Sequence, residues 1–401
     1  MIHSAYNILV KFIGLFLLNA PITKPKFSAW QRAQKNIQSQ WIELPKHSYL
    51  FIVASAGEFE QAKPIIQSLK QRDPETKIVV SFYSPSGFEL LKSHHLIDFC
   101  IYTPYDTPKN MQRFVEALQP KSAIFVKYEL WLNLMSELRM QGIPRFMVSA
   151  VFSTNHFIGN WYGKPWRKEL TAFTDIFVQD EDSQKLLSAI NIPSKIAGDT
   201  RVDRSLELPK TLYNDELIED LSQPQLRLII GSAWPRDMGL FLEIKDWLEK
   251  NNIALMIAPH ELDEAFLTLL KNQFNAAVYS ELTDSSPRHL IIDVIGKLKY
   301  LYRYADVAYV GGGFGKGIHN TLEPAAYALP LIFGPNYEKF VEAKHFVKHG
   351  GATVIKNTDE LKQAIQTLLI HSVRTDVGNA AKAYLDHAKG ATEKIVAQIA
   401  N

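Results

Sequence analysis

The sequence predicts an α/β protein made of two doubly wound domains that face each other across a cleft. Short runs rich in Val, Ile and Phe alternate with amphipathic helical patterns, and this alternation is typical of parallel β-α-β units. A polar stretch over residues 206–225 interrupts the alternation, which then resumes. The chain of 401 residues is long for a single core, so we expect two domains joined by this linker.

The first domain is predicted over residues 36–205. Its strand-like runs are YLFIVAS, KIVVSFYS, DFCIYTP, SAIFVKY, RFMVSAV and DIFVQD. Helical patterns such as EFEQAKPIIQSLKQ and NMQRFVEALQ lie between them. Ligands of open α/β sheets bind beyond the carboxyl ends of the strands, so residues that follow these runs are the first candidates for a site.

Two acidic residues of the first domain follow such runs. Glu58 comes after YLFIVAS and Glu129 after SAIFVKY, each at the expected start of a helix. A carboxylate there can act as a general base toward a hydroxyl group. It can also stabilise the helix N-terminus through the helix dipole, just as Ser55 can cap the same helix. The residues alone leave both interpretations open.

The second domain is predicted over residues 226–401. Its strand-like runs are RLIIGSA, IALMIAP, AAVYS, HLIIDV, DVAYVGG and LPLIFGP. The last helical pattern of the chain either belongs to this domain or packs back on the first. Ser232 and His260 follow two of the runs, where Ser232 can donate to a phosphate and His260 to a phosphate or a base edge. His260 can equally be an ordinary turn histidine.

Residues 310–324 read VGGGFGKGIHNTLEP and predict a strand, a glycine loop and a helix. Such a loop lets a ligand approach the backbone, and the helix N-terminus beyond it suits a phosphate. Glu323 can accept hydrogen bonds from ribose hydroxyls. The spacing matches neither the dinucleotide nor the triphosphate fingerprint. A turn that merely packs the strand onto the helix is the alternative.

The first 35 residues differ from the rest of the chain. Residues 5–20 are mostly apolar, broken by Lys11, and are followed by Lys24, Lys26 and Arg32 with Trp30 among them. This combination predicts a helix that lies in one membrane leaflet or marginally spans the membrane, with cations near anionic head groups. The alternative is an amphipathic helix packed on its own domain.

Composition excludes several classes of protein. A net charge of +2 gives no overall attraction to nucleic acid, and no zinc-type ligand cluster is visible. The single cysteine, Cys100, cannot form an intrachain disulfide, which fits a reducing compartment. We therefore expect neither a bound metal nor a nucleic-acid partner.

Taken together, the motifs resemble the lipid A Kdo transferases, where Kdo is 3-deoxy-D-manno-oct-2-ulosonic acid. The resemblance covers nearly the whole chain and runs in the family's order. Its motifs are ASAGEFEQAKPII, KYELWLNL, GDTRVDR, GSAWPRD, APHE and VGGGFGKGIHNTLEPAAYALPLIFGPNYEKF. Ile318 and Leu132 depart from the residues expected at their positions, and the proline-histidine motif lacks its intervening arginine.

The resemblance implies a GT-B fold of two Rossmann-like domains and an inverting glycosyltransferase that needs no cofactor and no metal. Its donor would be CMP-Kdo and its acceptor a lipid A precursor, lipid IVA, in lipopolysaccharide core biosynthesis. The N-terminal segment would bind membrane lipid and hold the enzyme at the cytoplasmic face of the inner membrane.

The resemblance also implies roles for individual residues. Glu58 would be the catalytic base. The acceptor or the transferred sugar would contact Ser55, Gly57, Glu129 and Arg201. CMP would contact Ser232, Pro259, His260, Gly312, Gly313, Lys316, Asn320 and Glu323.

Two other functions suit the same architecture. One is a nucleotide-sugar epimerase, and the other is a non-catalytic, membrane-attached sugar-binding protein. The aromatic and basic stretch over residues 150–170 is either a surface for a phosphorylated glycolipid or a packed amphipathic segment.

Overall fold

The computed structural model describes residues 1–21, 25–41, 43–127, 129–153, 156–219, 224–282 and 287–400. The chain divides into two compact units. The first unit comprises Met1–Asp203 and Lys389–Asn401, and the second comprises Arg204–Ala388. Lys24, from the predicted cationic flank, lies outside the described residues.

The first unit is built on a seven-stranded parallel sheet in the order β3-β2-β1-β4-β5-β6-β7. Strands β1, β2, β4 and β5 are buried along their whole length, because helices cover both faces. The strands are β1 (Tyr49–Val53), β2 (Ile78–Phe82), β3 (Phe99–Tyr102), β4 (Ser122–Val126), β5 (Arg145–Ala150), β6 (Asp175–Val178) and β7 (Lys195–Ile196).

Helices of the first unit precede the sheet and connect its strands. Several begin at a capping side chain, such as Ser55, Thr107 or Asp180, which accepts a backbone N–H of the first turn. The helices are α1 (Ile2–Asn19), α2 (Pro25–Lys35), α3 (Ala56–Arg72), α4 (Pro85–Leu91), α5 (Pro108–Leu118), α6 (Leu132–Met140), α7 (Lys164–Leu170), α8 (Glu181–Ala189) and α9 (Thr200–Glu207), the last of which crosses into the second unit.

The second unit repeats the plan with a parallel sheet in the order β10-β11-β9-β8-β12-β13-β14. Its strands are β8 (Leu226–Ala233), β9 (Ile253–Pro259), β10 (Ala277–Val278), β11 (Leu290–Ile291), β12 (Val307–Val310), β13 (Leu331–Phe333) and β14 (Ala352–Val354). Its helices are α10 (Glu216–Glu219), α11 (Pro235–Glu243), α12 (Lys245–Lys250), α13 (Glu264–Phe274), α14 (Leu298–Leu301), α15 (Leu322–Ala326), α16 (Val341–Lys348), α17 (Thr358–Leu368) and α18 (His371–Ala388).

The final helix, α19 (Ala391–Ile399), packs on α3 in the first unit. Ile395, Val396 and Ile399 are buried in the core on that side of the first sheet. Asp203 fixes the start of α19, because its carboxylate accepts the backbone N–H groups of Gly390 and Thr392 at 2.6 and 2.7 Å.

The predicted α/β class with two parallel sheets is confirmed, and the differences are local. β7 and β14 were not predicted. α6 begins at Leu132, three residues after Glu129, so Glu129 does not lie at a helix start. The helix after the glycine loop, α15, is only five residues long.

Helix α1 is long and apolar enough to cross a membrane, by length and composition alone. α1 also packs against other parts of the first unit. Gly14 contacts the ring of Tyr105, and Gln31 of α2 donates to the carbonyls of Leu17 and Ala20. The apolar residues on its other side remain 44% to 72% exposed; they are Ile8, Leu9, Phe12, Ile13, Leu15 and Phe16.

Candidate functional site

Glu58 lies in the first turn of α3, just beyond the carboxyl end of β1. Its side chain is 7% exposed, and Oε2 accepts the backbone N–H of Ala54 at 2.6 Å. Its own N–H donates to Oγ of Ser55 at 3.4 Å. Glu58 therefore does contribute to the helix start, as one interpretation of the sequence holds. The backbone N–H groups of Ala54 and Ser55 both act to lower the pKa of this carboxylate, and that of Ala54 has the larger effect.

Glu129 follows β4, the strand that pairs directly with β1. It is 9% exposed, and Oε2 accepts the indole N–H of Trp131 at 2.8 Å. The ring of Tyr83 packs against Trp131 at a tilt of 37°, with centroids 4.7 Å apart. Aromatic rings therefore shield this carboxyl group on the side of Trp131.

The two carboxyl groups influence each other's protonation. Burial and, to a smaller extent, the negative charge of Glu58 raise the pKa of Glu129, the bond from Trp131 lowers it, and the net result is a pKa of about 7. Burial also raises the pKa of Glu58, whereas the Ala54 N–H and the positive charge of Lys127 lower it. Near neutral pH Glu129 is therefore partly protonated.

The other predicted residues of the first unit differ in exposure and pairing. Gly57 is exposed and Ser55 half-buried at the same helix start. Arg201 forms a two-bond ion pair with Asp199, with Nε and Nη2 at 2.9 and 2.6 Å from Oδ2. In the 150–170 stretch, Trp161 is 77% exposed whereas Trp166 packs against Tyr6, and residues 154 and 155 lie outside the described residues.

A pocket of about 630 Å³ opens at the carboxyl ends of β8, β9 and β12 in the second unit. It brings together His260, Gly312 and Lys316 of the predicted set. Its remaining lining residues are Trp234, Pro235, Arg236, Asp237, Phe314, Gly315, Gly317 and His319. The cations Arg236 and Lys316 are exposed on this pocket, which suits an anionic ligand.

Three near-parallel rings form one wall of the pocket. His260 stacks on Trp234 at 4.4 Å and on His319 at 4.3 Å between ring centroids. The indole N–H of Trp234 donates to Nε2 of His319 at 3.0 Å. Burial lowers the pKa of His319 to about 4, so this ring is neutral at physiological pH and carries its proton on Nδ1. Such a wall suits a flat heterocycle.

Most glycines of the loop over residues 311–317 lie too close to neighbouring protein atoms to allow a side chain. A Cβ on Gly311 would lie 2.2 Å from the carbonyl oxygen of Ser232, and one on Gly313 would lie 2.6 Å from the nitrogen of Gly334. Gly312, at φ 90°, donates its N–H to Oδ2 of Asp237 at 3.0 Å. These three glycines thus serve close packing, as the second interpretation of the loop proposes, whereas Gly315 faces more open space.

Asp237 is a buried carboxylate that binds the backbone of the glycine loop at Gly312. It is 1% exposed and accepts hydrogen bonds from Gly312 N, Trp234 N and the Tyr309 hydroxyl at 2.8 to 3.1 Å. Burial raises the pKa of Asp237, and these donors oppose the rise. Asp237 therefore fixes the loop against the start of α11.

Five predicted CMP contacts do not line the pocket. Ser232 has a left-handed φ of 54° where the register of β8 shifts. Asn320 accepts the backbone N–H of Leu322, and Glu323 lies 3.5 Å from the guanidinium of Arg204. The others are Pro259, which ends β9, and Gly313.

Sequence reasoning missed Trp234, Arg236, Asp237 and His319 as site residues. All four lie in motifs that were recognised, GSAWPRD and GKGIHN, so position in the motif was the available signal. Among the described residues, no group of three or more His, Cys, Asp or Glu side chains could hold a metal ion.

Comparison with known sequences finds one family. The model for the 3-deoxy-D-manno-octulosonic-acid transferases, or kdotransferases, matches residues 31–204. The 3-deoxy-D-manno-octulosonic acid transferase of Haemophilus influenzae is 27% identical over 96% of this chain and 93% of its own length. The transferase of that name from Aquifex aeolicus is 27% identical over 81% of this chain and 86% of its own.

Solved structures resemble the chain in fold. UDP-GlcNAc 2-epimerase from Neisseria meningitidis matches with a TM-score of 0.64 and 16% identity, over 88% of this chain and 99% of its own. MurG from Acinetobacter baumannii matches with a TM-score of 0.55 and 14% identity, over 89% of this chain and 99% of its own. At such low identity these matches show the fold alone, an α/β fold of the GT-B type.

Proposed function

The chain belongs to the 3-deoxy-D-manno-octulosonic acid transferase family of glycosyltransferases, and on this premise we propose that it transfers Kdo from CMP-Kdo to a lipid A precursor with inversion at the anomeric carbon. The observation that carries the proposal is the pair of buried carboxyl groups, Glu58 and Glu129, beyond two neighbouring strands. Acceptor activation requires a base of raised proton affinity, and burial provides it at Glu58.

In the proposed reaction Glu58 takes the proton of an acceptor sugar hydroxyl. The hydroxyl oxygen forms a bond to the anomeric carbon of Kdo from the face opposite the phosphate. The bond between that carbon and the phosphate oxygen breaks, and CMP departs with the electron pair. Glu129, held by Trp131, contacts the acceptor or the transferred sugar, together with Ser55 and Gly57 at the start of α3.

The second-unit pocket would hold the CMP part of the donor. The wall of Trp234, His260 and His319 supports a stacked base, and the exposed cations Arg236 and Lys316 support the phosphate. Glu323 is proposed to accept from the ribose hydroxyls. Because cationic side chains can stabilise the departing phosphate, the reaction is proposed to need no metal ion.

Membrane attachment is proposed to occur through α1. Its exposed apolar residues can enter a lipid interface, and exposed Arg32 and Lys35 of α2 can attract anionic head groups. A single cysteine suits the cytoplasmic face of the inner membrane. Attachment there would bring the enzyme to an acceptor that is itself a lipid.

The decisive experiment follows CMP release by the purified protein in detergent. CMP should appear from CMP-Kdo only when a lipid A precursor is present, and mass spectrometry should show the acceptor heavier by one or more Kdo residues. EDTA should leave the rate unchanged. Release that ignores the acceptor, epimerisation of a nucleotide sugar without transfer, or a rate restored only by Mg²⁺ would each contradict part of the proposal.

A further inference from the structure

Helix α1 is fastened to the first unit by polar side chains on one face. The hydroxyl of Tyr6 donates to Oδ2 of Asp106 at 2.6 Å. His3 Nε2 donates to Oδ1 of Asn133 at 2.9 Å, and Asn133 Nδ2 donates to Oδ1 of Asn7 at 2.8 Å. A helix that merely inserts into lipid has no need of three such contacts to its own domain.

Asp106, the acceptor of the Tyr6 hydroxyl, is itself a structural cap. It is 1% exposed, and its two oxygens accept the backbone N–H groups of Asn133 and Leu134, each at 2.9 Å. These are first-turn groups of α6, whose own N-cap residue, Trp131, makes no capping bond. Asp106 therefore fixes where α6 begins. The Tyr6 hydroxyl is the third hydrogen-bond donor to this carboxylate among the described residues.

Tyr6 also reaches the same segment by a second route. Its ring packs edge-on against Trp166, with centroids 5.3 Å apart. The indole N–H of Trp166 donates to the carbonyl oxygen of Leu130 at 2.9 Å. The segment over residues 129–133 is thus held at Leu130 and at Asn133 by two groups that both contact Tyr6.

That segment carries Glu129 and the indole that binds its carboxylate. We propose that Tyr6 and Asp106 are positioning residues for Glu129, so that α1 forms part of the acceptor-side site as well as the membrane-binding surface. The inference rests on the proposed function and takes the first of its two roles for Glu129, contact with the acceptor. The two faces of α1 then do different work: the polar face sets the 129–133 segment, and the face with Phe12 and Phe16 meets the lipid.

The test measures the kinetics of transfer by the Tyr6→Phe and Tyr49→Phe proteins in detergent, with the acceptor dispersed in the same detergent. Both changes remove one hydroxyl from a packed ring, but the Tyr49 hydroxyl bonds Lys121 at the opposite end of β1. Tyr6→Phe should leave KM for CMP-Kdo unchanged and raise KM for the acceptor about tenfold. A tenfold effect is the size expected when a buried carboxylate loses one hydrogen-bond donor. Asp106→Asn should show the same split, and Tyr49→Phe should show none.

Vesicle binding separates the two faces of the helix. Tyr6→Phe should bind anionic vesicles as the parent does, whereas Phe12→Ser should bind them more weakly. Equal rises in both KM values, or acceptor kinetics identical to the parent, would overturn the positioning role. A Tyr6→Phe protein released from vesicles would show that the polar face serves the membrane instead.

Hydrogen exchange gives a reading that does not depend on catalysis. The amides of Asn133 and Leu134 should exchange faster in Tyr6→Phe than in the parent, and no faster in Tyr49→Phe. If the parent transfers no Kdo, the proposed function has failed. The exchange comparison then decides by itself whether Tyr6 holds the segment that carries Glu129, and unchanged exchange would overturn the inference.

Discussion

The carboxylate pair of the first unit and the ring-lined pocket of the second lie beyond the carboxyl ends of central strands in two similar sheets, but they differ in exposure. Glu58 and Glu129 are 7% and 9% exposed. His260, Arg236 and Lys316 are exposed to solvent on their pocket. One sheet therefore presents buried acids whose proton affinity is altered by burial, and the other presents aromatic rings and cations that are open to solvent.

Under the proposed function, this difference in exposure separates the residues that carry out the chemistry from those that bind CMP. A buried carboxyl group changes its pKa and can exchange a proton near neutral pH. Exposed rings and cations can recognise a flat, anionic ligand without any change in protonation. Substitutions in the first unit should consequently affect turnover and pH dependence, and substitutions in the second should affect affinity for CMP.

The largest effect is expected for Glu58→Gln. An amide keeps the size of the side chain but cannot accept the acceptor's proton, so the rate should fall by about 10²- to 10⁴-fold. Affinity for CMP, measured by calorimetry, should stay within a few-fold of the parent. Glu60→Gln, two residues further along α3, is the matched control, because Glu60 pairs with Lys63. A Glu58→Gln protein with half the parent rate would remove Glu58 from the mechanism.

The raised pKa of Glu129 should appear in the pH dependence of stability. The pKa is about 7 in the folded protein, and an unfolded Glu titrates at about 4.3. Between these values the folded state binds more protons than the unfolded state, so the free energy of unfolding falls as pH rises and levels off above about pH 7. The fall attributable to Glu129 is up to about 4 kcal/mol.

Urea unfolding at several pH values measures this fall, and Glu129→Gln is the variant to compare. The variant should lose less stability than the parent between about pH 5 and about pH 8. Parallel curves for the two proteins would mean that Glu129 titrates as an exposed carboxyl group does. The contrast in burial between the two sites would then have no consequence for protonation.

Glu323→Ala should weaken CMP binding by about 1.5 to 3 kcal/mol, because it removes charged acceptors proposed to bind the ribose. Calorimetry with CMP measures the loss. Glu281→Ala is the control, since Glu281 forms an exposed ion pair with Lys271 in the same unit. Unchanged affinity in a folded Glu323→Ala protein would mean that CMP does not contact Glu323. The ligand would then bind within the pocket of Trp234, His260 and His319, which Glu323 does not line.

The smallest effect is expected for Trp234→Phe. The change keeps an aromatic ring beside His260 but removes the donor to Nε2 of His319. Affinity for CMP should fall about threefold to tenfold, the range for one neutral hydrogen bond. Trp247→Phe, on α12 away from the pocket, should bind CMP as the parent does. A loss of turnover without a loss of affinity for CMP would contradict the assignment of binding, rather than chemistry, to the pocket of the second unit.

Much of the fold could be predicted because its strands are buried on both faces. Strands such as β1 and β12 are continuous apolar runs, and the run itself identifies them. β7 and β14 are two and three residues long and are not fully buried, so they carry no such run. The start of α6 was misplaced because its cap, Asp106, is 26 residues away from Leu132 in the sequence.

The candidate site could be predicted only in part, for a related reason. Glu58 and His260 were found because they directly follow strands. Asp237 looks like an ordinary first-turn acid of α11, and only its contact with Gly312 shows that it supports the loop. The two faces of α1 could not be told apart from the sequence, because the residues that His3, Tyr6 and Asn7 contact are a hundred or more positions away.

The cap that Asp203 places on α19 has a consequence for how the protein is made. Asp203 and Gly390 are separated by 187 positions, and α19 completes the core beside Phe59 and Ile66. A ribosome adds residues in order, so the first unit must wait, with part of its core uncovered, while the whole second unit is synthesised. Of the two units, the one whose residues are synthesised first is the last to be finished, and its uncovered hydrophobic surface is what a chaperone would meet during translation.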